Sequence, residues 1–389
     1  MRRPPAITLA IGALASLLLA AAPGAQAAKT KPFKLPRIKH VFVIVLENES
    51  YASTFGNPSA DPYLAQTLPA QGALLENYYG TGHESNDNYV SLISGQPPNP
   101  QNQGDCQVFD EFRGSMLEDG VDAGSGCVFG KEVQNIGTQL SAAGQKWKAY
   151  MQDMGNDPNR ETAACGHPAL NGTDGTQKAE AGDGYATRHD PFVYFQSVIG
   201  EAAYCDAHVV ALGTPTGEMP AAALKGETGL ATDLAHPGHT PAFSFITPNL
   251  CEDGHDYPCT NQTGKTSALA DIDGFLETWI GKIEASSAYQ HGGLIEVTFD
   301  ESDGPESDST SCCGEESGPN TTEPGITGPG GGRVGAVLIS PKIAPGTIVT
   351  TDYNHYSSLA SWEQLFGLSS LAYAAKAPRF GADVFTAAR

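Results

Sequence analysis

The chain is short of positive charge. Its 389 residues carry 22 Lys and Arg against 44 Asp and Glu, a formal net charge of −22. Binding nucleic acid or an anionic membrane requires clustered Lys and Arg to neutralise phosphates, so this balance argues against either as a main task. Long apolar runs are scarce as well. After the first 22 positions none approaches the roughly 20 residues that span a bilayer, so stable membrane insertion is not expected. There is no Pro/Ser-rich linker and no internal repeat. The length would permit two domains, yet a single α/β domain over residues 28–389, carrying large insertions, accounts for it equally well. No CxxC pair has a matching second half, which argues against a cysteine-bound zinc.

The first 27 residues read as a secretory signal. Arg2 and Arg3 form a positive head, residues 7–22 form a mainly apolar run broken by one glycine, and Ala25-Gln26-Ala27 is a small-x-small cleavage site. A membrane anchor is the alternative, but the strongly apolar part is short for a span. Removing both arginines leaves an exported chain of net charge −24 starting near Ala28. The eight cysteines fit disulfides in an oxidising compartment. Neighbours in sequence suggest Cys106 with Cys127, Cys165 with Cys205 and Cys251 with Cys259, leaving adjacent Cys312 and Cys313; connectivity does not follow from sequence alone.

One stretch organises the rest, GTGHESNDNYVSLISG at residues 80–95. Ser85 stands just before an expected helix start near Asn86 or Asp87, where unpaired backbone N–H groups attract an anion. Alone, Ser followed by Asn and Asp is equally an ordinary N-cap. Three other stretches change that balance, because each reads as a buried strand ending abruptly in metal-ligand residue types. Residues 41–46 are apolar and stop at Glu47-Asn48, and residues 294–299 stop at Asp300-Glu301. A third run, SFITPNLCEDGHD, leads to Asn249, Asp253, His255 and Asp256. Strands apolar on both faces belong in parallel sheets covered by helices, whose ligands bind beyond the carboxyl ends of the strands.

Between them, helices are expected over residues 135–143, 266–289 and 355–366, and strands over 146–151 and 333–340. The alternation predicts an α/β fold with a doubly wound, mostly parallel sheet flanked by helices. Gly- and Asp-rich segments at 99–130, 156–184 and 302–332 read as long loops pinned by cysteines. Within the last of these, Asp303, Asp308, Glu315 and Glu316 read as a solvated acidic loop. Tyr150 reads as core or a pocket wall, and His83 as a residue that hydrogen-bonds a loop.

LENES, GHESNDNYVSLISG, RHDPFVYF, ITPNLCEDGHD, TFDESDG and YNHYSSLASWEQLFG resemble, in content and order, the bacterial phosphoesterase family. That family holds phospholipases C and secreted acid phosphatases and belongs to the alkaline-phosphatase-like superfamily. The likeness covers about residues 38–368. It implies metal-dependent phosphoryl transfer through a phosphoserine at Ser85, with Asn88 helping to hold a phosphate oxygen. It further implies Glu47, Asn48, Asp300 and Glu301 as metal ligands. Asp253, His189, His255 and His355 would hold a second metal or contact the phosphate and leaving group. An all-oxygen first site suits Ca²⁺, Mg²⁺ or Mn²⁺ at least as well as Zn²⁺. Expected substrates are small phosphate esters or phospholipid head groups. The lack of an obvious apolar lip favours a phosphatase over a phospholipase C, and a non-catalytic phospho-ligand-binding protein is the reading from a different class. Sulfatases of the superfamily carry a Cys/Ser-x-Pro-x-Arg motif that is absent around Ser85. Oligomeric state is not legible.

Overall fold

The apolar run that precedes Glu47 becomes a central strand whose Val41 to Leu46 side chains are all buried, so both faces of the sheet are covered there. Burying each such aliphatic side chain contributes about 1.5–3 kcal/mol relative to leaving it exposed. The computed structural model describes residues 1, 33–260, 267–313 and 317–387. The expected signal segment therefore lies, Met1 apart, outside the described residues, as do Glu315 and Glu316. Two units divide the chain, Met1–Phe33 and Lys34–Arg389. Every element named below belongs to the second.

The strands of the main sheet are β1 (His40–Leu46), β2 (Ala73–Leu75), β3 (Trp147–Met151), β4 (Val209–Ala211), β5 (Phe243–Thr247), β6 (Gly293–Phe299), β7 (Ala336–Ile339) and β8 (Thr347–Val349). Their spatial order is β8-β2-β7-β6-β1-β5-β3-β4. Every pairing is parallel except the two made by β7 with β6 and β2. The expected mostly parallel α/β sheet is what forms. Sequence order departs from spatial order at β1, which sits between β5 and β6, and that is where such sheets open a crevice for ligands.

The main helices are α1 (Ser85–Ser94), α2 (Ile136–Ala142), α3 (Ala268–Ala285) and α4 (His355–Phe366). All ten residues of α1 are buried, polar ones included, so this helix runs through the interior beside the sheet edge. Gly95 ends it at φ 71, a left-handed conformation that a glycine takes without penalty. Asn354 opens α4 with a reciprocal capping pair to Ser357, which sets His355 as its first residue.

Two local expectations shift. The helix expected over residues 266–289 ends at Ala285, because Ser286 turns extended (φ −74, ψ 148) and its hydroxyl caps a new short turn, Ser287–Gln290. The segment 99–130 is more than loop: Arg113–Met116 pairs antiparallel with Asp122–Ser125. Disulfides join Cys106–Cys127, Cys165–Cys205 and Cys251–Cys259, the three pairs that sequence neighbours suggest, and the remaining adjacent Cys312 and Cys313 are joined to each other.

Candidate active site

Three adjacent strands, β6, β1 and β5, deliver their following residues to one place. The register pairs Leu46 with Phe299, so Glu47 and Asp300 emerge side by side. The Asp300 amide donates to Leu46 O at 2.9 Å, and the Glu47 amide to Asp253 O at 2.9 Å, which brings in the loop after β5. Asn48 takes a positive φ of 49°; its amide donates to Asp300 Oδ1 at 3.0 Å and its Nδ2 to Glu301 Oε1 at 3.1 Å.

Ser85 arrives from the other side as the first residue of α1. Glu84 before it is held at φ 79, ψ 144, a conformation costly for a residue with a Cβ and characteristic of functional turns. The Ser85 hydroxyl donates to Glu47 Oε2 at 2.7 Å, and Tyr89, one turn along the same helix face, donates to Glu47 Oε1 at 2.5 Å. His189, at the end of the turn Thr187–His189, stacks flat on Tyr89 with ring centroids 5.2 Å apart. Its Nε2 lies 3.4 Å from Glu47 Oε1 and its Nδ1 3.2 Å from Asp253 Oδ2. Burial first, then Arg188 and His255, hold its pKa well below the ordinary histidine value, so the ring is neutral and can offer a lone pair. His255 lies nearer solvent; Nδ1 is 2.7 Å from Asp256 Oδ1 and Nε2 is 3.2 Å from Arg188 Nη2. Burial alone would lower its pKa, but the Asp256 hydrogen bond and the charges of Asp253 and Asp256 outweigh burial and raise it.

Carboxylates crowd this site. Glu47, Asp87 and Glu301 are pushed well above the usual range by burial first and then by neighbouring carboxylates, foremost Asp300 for Glu47 and Glu301 and Asp105 for Asp87. Burial foremost raises Asp300 to about 6 and Asp253 to about 8. Asn48 Oδ1, Asp300 Oδ2, Asp253 Oδ2 and both His189 ring nitrogens are buried without a hydrogen-bond partner among the described residues. Such a set of clustered anions and unsatisfied lone pairs fits a divalent cation. The tightest group is Glu47, His189 and Asp253, whose ligand atoms lie within 4.8 Å of one another. The sequence grouping places His189 and Asp253 apart from an all-oxygen first site; the structure joins them to Glu47, because the His189 ring stands between Glu47 Oε1 and Asp253 Oδ2.

Two expected site residues are turned to bracing. The Asn88 Oδ1 accepts from the amides of Thr81 and Gly82, and its Nδ2 donates to Gly82 O, Glu84 O and Glu301 Oε2. Its amide is thus committed to the loop before Ser85 rather than open to a phosphate oxygen. His355 is fully buried, with Nε2 2.6 Å from Asp300 O and Nδ1 3.2 Å from Tyr78 OH. Burial lowers its pKa to about 4. His83, read as a loop contact, does meet Asp308 O at 2.9 Å, but its Nδ1 also lies 3.2 Å from Glu301 Oε2. Asp308 is no solvated loop residue, since its Oδ2 accepts from the Arg333 amide and its carbonyl from Ser302. Tyr150 is core, its hydroxyl donating to Asp233 at 2.7 Å. Sequence reasoning passed over Tyr89, Asp87 and Arg188. Tyr89, four residues after Ser85 on a helix, carried a findable signal.

A serine at the amino end of a buried helix thus faces a cluster of carboxylates and a neutral histidine at the carboxyl edge of an α/β sheet. The chain belongs to the phosphoesterase family, whose model matches residues 60–369, and is a hydrolase of phosphoric ester bonds. It is 26% identical over 369 residues to a phosphatidylinositol-3-phosphatase of Mycobacterium tuberculosis, covering 95% of this chain and 90% of that one. It is 25% identical over 333 residues to an acid phosphatase of Aspergillus fumigatus, covering 85% of this chain and 55% of the fungal one. Among solved structures, an alkaline phosphatase superfamily protein from Vibrio parahaemolyticus overlays with a TM-score of 0.49 at 13% identity, covering 87% of this chain and 69% of that one.

Proposed function

We propose that the protein is an exported, metal-dependent phosphomonoesterase that works through a phosphoserine at Ser85. The observation that carries this reading is the 2.7 Å hydrogen bond from Ser85 to Glu47 at the head of α1, inside a cluster of orphaned ligand atoms. Ser85 Oγ forms the new bond to phosphorus as the ester P–O bond breaks, and its proton passes to Glu47 Oε2. Tyr89 fixes the other Glu47 oxygen, so the acceptor keeps its aim. The departing oxygen takes a proton from solvent on the side of His255, whose ring is held by Asp256. Water then cleaves the phosphoserine and restores the Ser85 hydroxyl. Asn88 and His355 hold, respectively, the loop before Ser85 and the Asp300 backbone.

Glu47, His189 and Asp253, with Asn48, Asp300 and Glu301 beside them, would hold a divalent ion, Ca²⁺, Mg²⁺, Mn²⁺ or Zn²⁺, which would supply positive charge against the serine hydroxyl and the phosphoryl oxygens. Relatives named acid phosphatase and phosphatidylinositol-3-phosphatase support a monoester substrate. Export is supported by four disulfides with no free cysteine among the described residues, where no helix is long and apolar enough to cross a membrane. The test is hydrolysis of p-nitrophenyl phosphate, bis-p-nitrophenyl phosphate and p-nitrophenylphosphorylcholine after chelation and after single-metal add-back. Metal-dependent preference for the monoester is expected. Turnover confined to the choline ester would move the assignment to a phospholipase C, and no turnover of any ester would move it to a binding protein.

A further inference from the structure

Arg188 is the one Lys or Arg that is fully buried among the described residues, 1% exposed. It stands amid the negative charges of Asp105, Glu47 and Asp253. Its Nη1 donates to Gln177 O at 3.1 Å and its Nη2 to His255 Nε2 at 3.2 Å. Nε lies 3.4 Å from Asp105 Oδ2 yet makes no hydrogen bond. A guanidinium has five donors in a rigid fork suited to phosphate, and the described residues occupy only part of this one.

Asp105 is the informative neighbour. While Oδ2 faces Arg188, Oδ1 accepts from the Asn86 amide at 3.0 Å, the N–H directly after the nucleophile. One carboxylate thus bridges the helix-end N–H beside Ser85 and the buried guanidinium, the two donors a phosphoryl group on Ser85 would approach. The Asp105 side chain is 14% exposed and also meets the Glu84 carboxyl, whose pKa is raised to about 7 by burial and then by Asp105. The Asp105 backbone takes φ 55 and the next residue, Cys106, φ 50, left-handed conformations in a segment tied by the Cys106–Cys127 disulfide.

We infer that Arg188 is a substrate-binding residue that selects doubly charged phosphomonoesters, with Asp105 as the internal counter-anion that the substrate phosphate replaces. The inference rests on the phosphoesterase reading and adds a specificity element to it. A dianionic monoester competes with a single carboxylate for Arg188 and the Asn86 N–H with twice the charge. A monoanionic diester has no such advantage, so the exchange favours monoesters.

The experiment compares wild type, Arg188→Met, Arg188→Lys and Asp105→Asn, each loaded with metal. Readouts are kcat/KM on p-nitrophenyl phosphate and bis-p-nitrophenyl phosphate, and inhibition by inorganic phosphate. Charge-assisted hydrogen bonds of this type predict that Arg188→Met loses about 10- to 150-fold on the monoester and in phosphate affinity. The loss on the diester should be at least tenfold smaller, and Arg188→Lys should recover part of the phosphate affinity without the full preference. Asp105→Asn should tighten phosphate inhibition several-fold, a gain that misfolding cannot produce. Equal losses on both esters in Arg188→Met, or unchanged or weaker phosphate inhibition in Asp105→Asn, would overturn the inference. If Arg188→Met does not fold, Asp105→Asn decides. Absence of ester turnover by wild type would instead strike the phosphoesterase reading itself.

Discussion

Glu296 lies within β6 and is completely buried, an unusual position for a carboxylate in a central strand. Ser358 donates to its Oε1 and Trp362 Nε1 to its Oε2, the latter at 2.8 Å. Tyr78 links Ser358 (2.7 Å) to His355, whose other nitrogen meets Asp300 O, so this network ties the core to the site. Burial raises Glu296 to about 7 from an ordinary value of 4.5, even though both hydrogen bonds pull it down. A carboxyl raised on folding stabilises the fold below its unfolded pKa and loses that contribution as pH climbs through 7. At 1.36 kcal/mol per unit of pKa, the loss is about 3 kcal/mol by pH 9. Glu296→Gln imitates the protonated form at every pH. In urea unfolding with metal in excess, the variant should match wild type within about 1 kcal/mol at pH 4 and exceed it by about 3 kcal/mol at pH 9. A variant equally destabilised at both pH values would refute the reasoning, for it would mean an ionised Glu296 stabilised by its two donors.

Three further outcomes are expected. Tyr89→Phe removes the 2.5 Å hydrogen bond to Glu47; hydrogen bonds to charged groups of about 1.5–3 kcal/mol predict a kcat loss of at least about tenfold, with KM little changed in steady-state assays. A Cβ at Gly80 would stand 2.7 Å from the Asp300 carbonyl oxygen. Gly80→Ala should therefore displace the carboxylate end of β6, lowering activity more than the melting temperature in paired measurements. Replacing both Cys106 and Cys127 by serine opens a loop of sequence separation 21 and should cost about 2–5 kcal/mol in chemical denaturation. The same variant should loosen Asp105 and alter phosphate inhibition.

The parts of the fold that could be read in advance are those where one physical signal dominates. The unbroken apolar run before Glu47 reads as a strand buried on both faces, the run before Asp300 repeats it with Glu296 and Thr298 inside it, and the abrupt change to paired polar residues marks where both leave the sheet. Ser85 was legible through its company, although the helix begins at Ser85 itself rather than one or two residues later. Asn88 and Asp308 were harder, because a polar residue that braces a loop and one that meets ligand or solvent have the same composition; only the partners distinguish them. Arg188 escaped because its meaning comes from Asp105 and His255, 83 residues before it and 67 after it. His189 joined Glu47 and Asp253 for the same reason, since three separate loops converge on a point that no local pattern describes.

The central claim is that Ser85 becomes covalently phosphorylated in a metal-dependent reaction. It is tested most directly by mixing metal-loaded enzyme with p-nitrophenyl phosphate, quenching in acid within the first turnovers and mapping the protein by mass spectrometry. The account predicts a phosphate on the peptide containing Ser85, absent after chelation and absent in Ser85→Ala, which should also lose turnover. Rapid hydrolysis by Ser85→Ala, or a phosphate trapped on another residue, would contradict it.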